Sequence, residues 1–290
     1  MRLKIVHRTE YRYDAPVPYS LQRLRLTPPD TAAQTILSWN IAVDGASIEA
    51  GYADQYGNRT ELVSTEGDAH TIRITAAGEV ETTDKAGVFG PHQGFCPLWL
   101  FLRETERTRP GRLTRELSDT LAGDTELARM HALMETINAT VTYTPGSTDT
   151  LTSAEQALEA KSGVCQDHAH IFITAARLCG IPARYVSGYL LMEGQDEQVA
   201  THAWAEAHLP GLGWVGFDAA NAICPDDRYV RLACGLDYAA AAPVSGMRLG
   251  TADEDLKVSL TVHGVRTQSQ NQGQGAEGQN HSVQRQQTQN

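Results

Sequence analysis

No run of about 18 apolar residues occurs in the chain, so none of its segments has the length of a membrane-crossing helix. The opening Met1-Arg2-Leu3-Lys4-Ile5-Val6-His7-Arg8 alternates polar and apolar residues instead of forming the apolar centre of a secretory leader. The expected location is therefore the cytoplasm, with no membrane partner. Positive charge is also scarce: 24 Lys and Arg stand against 35 Asp and Glu, a formal charge of −11. Phosphate neutralisation needs clustered Lys and Arg, so a general nucleic-acid binder is excluded and a basic or neutral substrate is the better match. The 5 cysteines form an odd set with no CxxC pair, which argues against a disulfide framework and against zinc-finger spacing. No acidic loop of EF-hand type appears, and neither a metal nor an organic cofactor is expected.

What is present is a chain of 290 residues with 41% hydrophobic content, enough to bury a substantial core and to hold two domains. Residues 1–83 read as a β-rich N-terminal domain. Leu3, Ile5, His7, Thr9, Tyr11 and Tyr13 alternate with charged neighbours, and turn signals such as Asp44-Gly45, Tyr56-Gly57-Asn58 and Glu66-Gly67-Asp68 suggest a small sandwich of short strands. Residues 84–119 are rich in Gly and Pro around the apolar stretch Phe95 to Leu102 and read as a connector packed between the domains. Residues 120–265 form the core. A helix is expected from about Asp124 to Ala139, a second after Ser153 with Gln156 completing a capping box, and a third from Cys165 to the stop Cys179-Gly180-Ile181-Pro182. The period then changes from 3.6 to 2, giving an antiparallel sheet from Ala183–Met192, Val199–Leu209 and Trp214–Asp218, with a further strand over Asp255–His263. Residues 266–290 are Gln, Asn, Ser and Gly with hardly an apolar residue, and are expected to be disordered.

The chemistry concentrates at Ser162-Gly163-Val164-Cys165-Gln166-Asp167-His168-Ala169-His170, where a turn runs into a helix pattern. Helix amides carry partial positive charge at that end, so a thiol there is favoured as the thiolate. A nucleophile of this kind needs an imidazole to take and return protons and a carboxylate to fix the ring. His202 in Thr201-His202-Ala203-Trp204-Ala205-Glu206 and Asp218 in Gly213-Trp214-Val215-Gly216-Phe217-Asp218 supply both. Side chains alternate along a strand, so His202 and Asp218 share a face only if the connection between Leu209 and Asp218 is an odd-length loop or contains a β-bulge. Cys96, Cys179, Cys224 and Cys234 read as packing residues. A zinc site from Cys165, His168 and His170 is disfavoured, because position 170 lies round the side of the helix. Asp167 stabilises the helix start and is expected to bind locally; Trp204 and Trp214 read as core or cleft wall, and Arg184 as the partner of a carboxylate.

Four segments in order, Gly163 to His170, Gly180 to Tyr189, His202 to Glu206 and Gly213 to Asp218, resemble the bacterial transglutaminase-like superfamily over roughly residues 120–235. The opening His7 to Tyr13, Pro16-Val17-Pro18 and Leu24 to Pro28 resemble the β-rich region that often precedes that core. The resemblance implies an α+β, papain-like core in which the helix carrying Cys165 packs on an antiparallel sheet. It further implies Cys165 as nucleophile, His202 as base and acid, and Asp218 as orienting carboxylate. The expected reaction is hydrolysis of a peptide, protein or other amide through a thioester, as for a cysteine peptidase. The backbone N–H of Cys165 is then one oxyanion donor, with Tyr143 as candidate for the second. Transfer of the acyl group to an amine is the second reading, and a noncatalytic protein-binding module the third. Substrate identity and oligomeric state are not encoded in any readable motif, nor are the roles of the N-terminal domain and the Gln-rich tail.

Overall fold

The computed structural model describes residues 1–192, 194, 197, 198 and 200–265. The tail 266–290 and residues 193, 195, 196 and 199 lie outside the described residues. The chain opens with β1 (Arg2–Thr27), β2 (Gln34–Asp44), β3 (Ser47–Ala53) and β4 (Arg59–Thr82). Where the sequence suggests several short strands, β1 and β4 run for 26 and 24 residues as one antiparallel pair. Their ladder is broken between Arg12 and Tyr19. Pro16 and Pro18 offer no amide hydrogen there, so pairing lapses and the strands bend without ending. Glu66-Gly67-Asp68, read as a turn, falls inside β4 opposite that irregularity. Leu3, Ile5 and Ile74 from one half and Leu24, Leu26 and Val63 from the other fill one core.

Next come β5 (Val88–Gly90), α1 (Arg112–Asp119), α2 (Glu126–Thr140), β6 (Thr142–Tyr143), α3 (Ala154–Ala160), β7 (Ser162–Gly163) and α4 (Cys165–Leu178). Thr125 caps α2 by accepting from Ala128 N at 3.1 Å. Ser153 and Gln156 form the expected capping box of α3. Helix α1 is absent from the sequence reading. Its start is capped from a distance: Glu155 of α3 accepts from Leu113 N at 2.7 Å, Thr114 N at 3.0 Å and the Thr114 hydroxyl at 3.0 Å. A cap supplied by a residue 41 or 42 positions away leaves no local signal.

The remaining elements are β8 (Ala183–Leu190), β9 (Glu197–Gln198), β10 (His202–Leu209), β11 (Gly213–Phe217), β12 (Tyr229–Gly235), α5 (Tyr238–Ala241), β13 (Val244–Leu249) and β14 (Glu254–Gly264). A five-stranded antiparallel sheet has the order β12-β8-β10-β11-β5. Helix α4 lies on one face of it and is buried nearly all round, its buried polar residues Asp167, His168, His170, Thr174 and Arg177 each hydrogen-bonded to a neighbour. The facing residues of β10 are Ala203, Ala205 and Ala207, whose small side chains let the helix approach closely. Phe172 of α4 stacks on Phe217 of β11 at 5.0 Å. The strand expected over Asp255–His263 exists as β14, but it pairs with β1 in the first sheet, as does β13. After α5 the chain thus returns to the N-terminal sheet, a long-range pairing that alternation alone does not specify.

Candidate active site

Cys165 is the first residue of α4, with Val164 as its extended N-cap. Asp167 shapes this start: its Oδ2 accepts from Val164 N at 2.7 Å and from the Thr148 hydroxyl at 2.6 Å. Burial raises the Asp167 carboxyl, and these two hydrogen bonds offset part of the rise. The carboxylate binds locally, as expected. Gly163 is required here, because a Cβ at that position would lie 2.7 Å from Asp167 Cβ. The first amides of a helix have no intrahelical acceptor, and Cys165, as the first residue of α4, carries one of them.

The loop from β10 to β11 contains Pro210, Gly211 and Leu212, three residues, with Leu209 paired to Gly213. Gly211 and Gly213 both have φ of 77°, a left-handed conformation that keeps the turn this tight. The odd length sets Ala205 opposite Phe217, so the next step puts Asp218 opposite Trp204, on the face of His202. The register required by the sequence argument is obtained through the loop, with no bulge between these strands.

His202 Nε2 donates to Asp218 Oδ2 at 2.6 Å. Burial alone would lower the His202 pKa, but the Asp218 carboxylate and then the Cys165 thiolate outweigh it and raise it to about 10. Negative charge at Cys165 thus favours the charged imidazole, after Asp218. Asp218 is fully buried. Burial pushes its carboxyl up, and His202, Tyr229 and Asn221 together bring it below the usual aspartate range. Oδ2 accepts from Tyr229 OH at 2.7 Å and from Asn221 Nδ2 at 2.8 Å, while Oδ1 accepts from Ala220 N at 3.0 Å and Asn221 N at 3.3 Å. Asn138 of α2 ties the same turn by donating to the carbonyls of Ala219 and Ala220 at 3.1 and 2.9 Å.

Tyr229 and Asn221 were not singled out by the sequence. Asn221 belongs to Ala219-Ala220-Asn221, which reads as an ordinary turn after Asp218, and Tyr229 opens β12, with no motif to join it to β11. Tyr143, the candidate second oxyanion donor, is half exposed at the end of β6, which pairs with Gly163 in parallel. Burial raises its phenol, and the charges on Cys165 and Asp218 raise it further.

The other singled-out residues separate from this group. His168 Nδ1 lies 2.8 Å from Val164 O and Nε2 3.0 Å from Val141 O, whereas His170 Nε2 accepts from Tyr238 N at 3.1 Å. The two rings serve different neighbours, and among the described residues no group of three His, Cys, Asp or Glu is placed to hold a metal. Arg184 pairs with Glu206 at 2.6 Å and lies over the Trp214 ring at 3.9 Å. Cys96 and Cys234 are buried, Cys179 and Cys224 half-buried, and all are free thiols.

Comparison with known proteins adds two family matches: the transglutaminase-like superfamily over residues 112–219 and the bacterial transglutaminase-like N-terminal region over residues 3–81. The Mycobacterium tuberculosis protein Rv2569c is 30% identical over 294 residues, covering 90% of this chain and 91% of that protein. The protein-glutamine gamma-glutamyltransferase of Pseudomonas aeruginosa is 31% identical over 105 residues, covering 31% of this chain and 15% of that enzyme. A crystal structure from Cytophaga hutchinsonii, provisionally described as a cysteine protease, superposes with a TM-score of 0.73 over 92% of both chains at 24% identity. That likeness speaks to the fold.

Proposed function

Since the chain belongs to the transglutaminase-like superfamily, we propose that it is a cysteine-dependent amide hydrolase acting through a Cys165-His202-Asp218 triad on a papain-like core. The observation that carries this reading is the His202 ring held at 2.6 Å by Asp218, its charged form further favoured by Cys165 at the positive end of α4. The Cys165 thiolate attacks the carbonyl carbon of an amide, and the oxyanion that forms takes the backbone N–H of Cys165 as one donor. Tyr143 is the candidate for the second, and loss of one such donor costs about 10² to 10³ in rate. His202 delivers its proton to the departing amine, leaving a thioester. It then takes a proton from water, which attacks the thioester and releases the acid. Asp218 keeps the ring oriented and stabilises its charged form.

The competing reading replaces water by a primary amine at the second step. The 105-residue match to a protein-glutamine gamma-glutamyltransferase favours keeping it in view. A glutamine-containing peptide incubated with a fluorescent amine decides between them. Hydrolysis gives cleaved or deamidated peptide without label, whereas incorporation of label identifies a transamidase. Loss of neither product in Cys165→Ala contradicts both.

A further inference from the structure

On the face of the second sheet opposite α4, the structure contains a cleft of about 430 Å³ that the mechanism does not use. Its floor is Trp214 and Arg184 from the sheet, with Arg231 of β12 beside them, and Phe89 and Pro91 form an apolar wall. The rest is closed by two loops of the N-terminal region, around Pro29 and around Tyr56. Pockets for small molecules have this size and this mixture of apolar wall and few converging polar groups.

The walls are fixed before any ligand arrives. Gln34 clamps the first loop to β12 by accepting from Arg231 N at 2.8 Å and donating to Arg231 O at 2.9 Å. Asn58 clamps the second in the same manner, accepting from Cys234 N and donating to Cys234 O, both at 2.8 Å. His92 Nδ1 accepts from Trp214 Nε1 at 3.1 Å, which holds the indole flat beneath the Arg184 guanidinium.

The charge on this floor is unbalanced. Arg184 and Arg231 are two cations, and the one carboxylate buried with them is Glu206. Arg184 takes Glu206 Oε2 at 2.6 Å, leaving Arg231 Nε at 3.8 Å from Oε1. Both that Nε and that Oε1 are buried without a hydrogen-bond partner among the described residues. The Cys234 sulfur is the other group that supports the Arg231 charge, and a thiol is a weak acceptor. Glu206 and Cys234 together outweigh the burial of the Arg231 charge, but its Nε donor stays unmet, and a buried unmet donor is costly unless an acceptor reaches the group. Asp30, the acidic lining residue, stands exposed at the rim with Oδ1 accepting from Ile36 N at 2.8 Å.

We infer that this cleft is a second, noncatalytic site that binds a small monocarboxylic acid with a flat apolar body. The carboxylate meets Arg231, whose planar fork suits two parallel hydrogen bonds, and the apolar part lies against Trp214 and Phe89. One net positive charge on the floor matches one negative charge, and the Asp30 rim disfavours a dianion. The site is distinct from the thiol, since none of Cys165, His202 and Asp218 lines the cleft. The inference also gives the N-terminal region a task, since its two loops complete the cleft.

Calorimetric titration of the whole protein with benzoate, its neutral isostere benzamide and inorganic phosphate tests this. The expected result is a saturable benzoate isotherm, with benzamide and phosphate at least about tenfold weaker. It should be unchanged after Cys165 is blocked with iodoacetamide and weakened about tenfold or more in Arg231→Gln. Absence of benzoate binding, equal binding of benzamide, or tighter binding of phosphate overturns the assignment. So does a benzoate signal lost on blocking Cys165, which puts the acid at the thiol. The comparison of three probes on the unaltered protein stands even if Arg231→Gln does not fold.

Discussion

Tyr229 donates its phenolic hydrogen to Asp218 Oδ2, the oxygen that also accepts from His202 Nε2, at 2.7 and 2.6 Å. Asp218 thus orients the imidazole while β12 orients Asp218. Tyr229→Phe keeps the ring packing against His202 and Trp204 and removes one hydrogen bond to a buried carboxylate. The expected loss in kcat/KM is about tenfold, from a charge-assisted bond of about 1.5 kcal/mol or slightly more. Unchanged kcat/KM in a well-folded Tyr229→Phe would show that the ring needs no such support.

The pH dependence follows from His202, whose folded pKa of about 10 lies above its ordinary value of 6.5. A raised pKa means that the charged ring stabilises the fold fully below about pH 6.5, and that this contribution is lost as pH rises toward 10. The thiolate–imidazolium pair is then lost on the same rise. The rate of Cys165 acylation should fall with a basic limb near pH 10, and thermal stability should decline over the same interval. A basic limb near pH 7 contradicts the paired description.

Glu206 is fully buried and is the carboxylate between Arg184 and Arg231. Glu206→Ala leaves two buried cations without it. Breaking such a cluster costs about 3–5 kcal/mol, so chemical denaturation should show a loss of that order. A loss under about 1 kcal/mol means that solvent in the neighbouring cleft screens the charges.

Glu155 caps α1 across 41 and 42 positions with three hydrogen bonds. Glu155→Ala should lower stability by about 1–2 kcal/mol and increase amide exchange at Leu113 and Thr114. Unaltered exchange at those two amides would mean that α1 is held by packing alone.

The parts of this molecule legible in the sequence are those set by local pattern. Helices α2, α3 and α4 carry apolar spacing, caps and a Gly-Pro stop, and the shared face of His202 and Asp218 demands an odd-length loop or a bulge, which the three-residue loop supplies. What escaped depends on partners far along the chain. Helix α1 has its cap in α3, β14 seeks β1 across some 250 positions, and Tyr229 reaches Asp218 from another strand. Arg184 was legible as half of an ion pair, yet its partner Glu206 and the second cation Arg231 meet through sheet order. In the N-terminal region Asp44-Gly45 and Tyr56-Gly57-Asn58 mark turns as read, whereas Glu66-Gly67-Asp68 misled because β4 runs straight through it.

The most direct test is the rate of alkylation of the five thiols by iodoacetamide at neutral pH, read thiol by thiol by mass spectrometry. An ionised Cys165 reacts far faster than Cys96, Cys179, Cys224 and Cys234, and loses that advantage in His202→Ala. Slow labelling of all five at similar rates, or a fast Cys165 indifferent to the loss of His202, contradicts the proposed site.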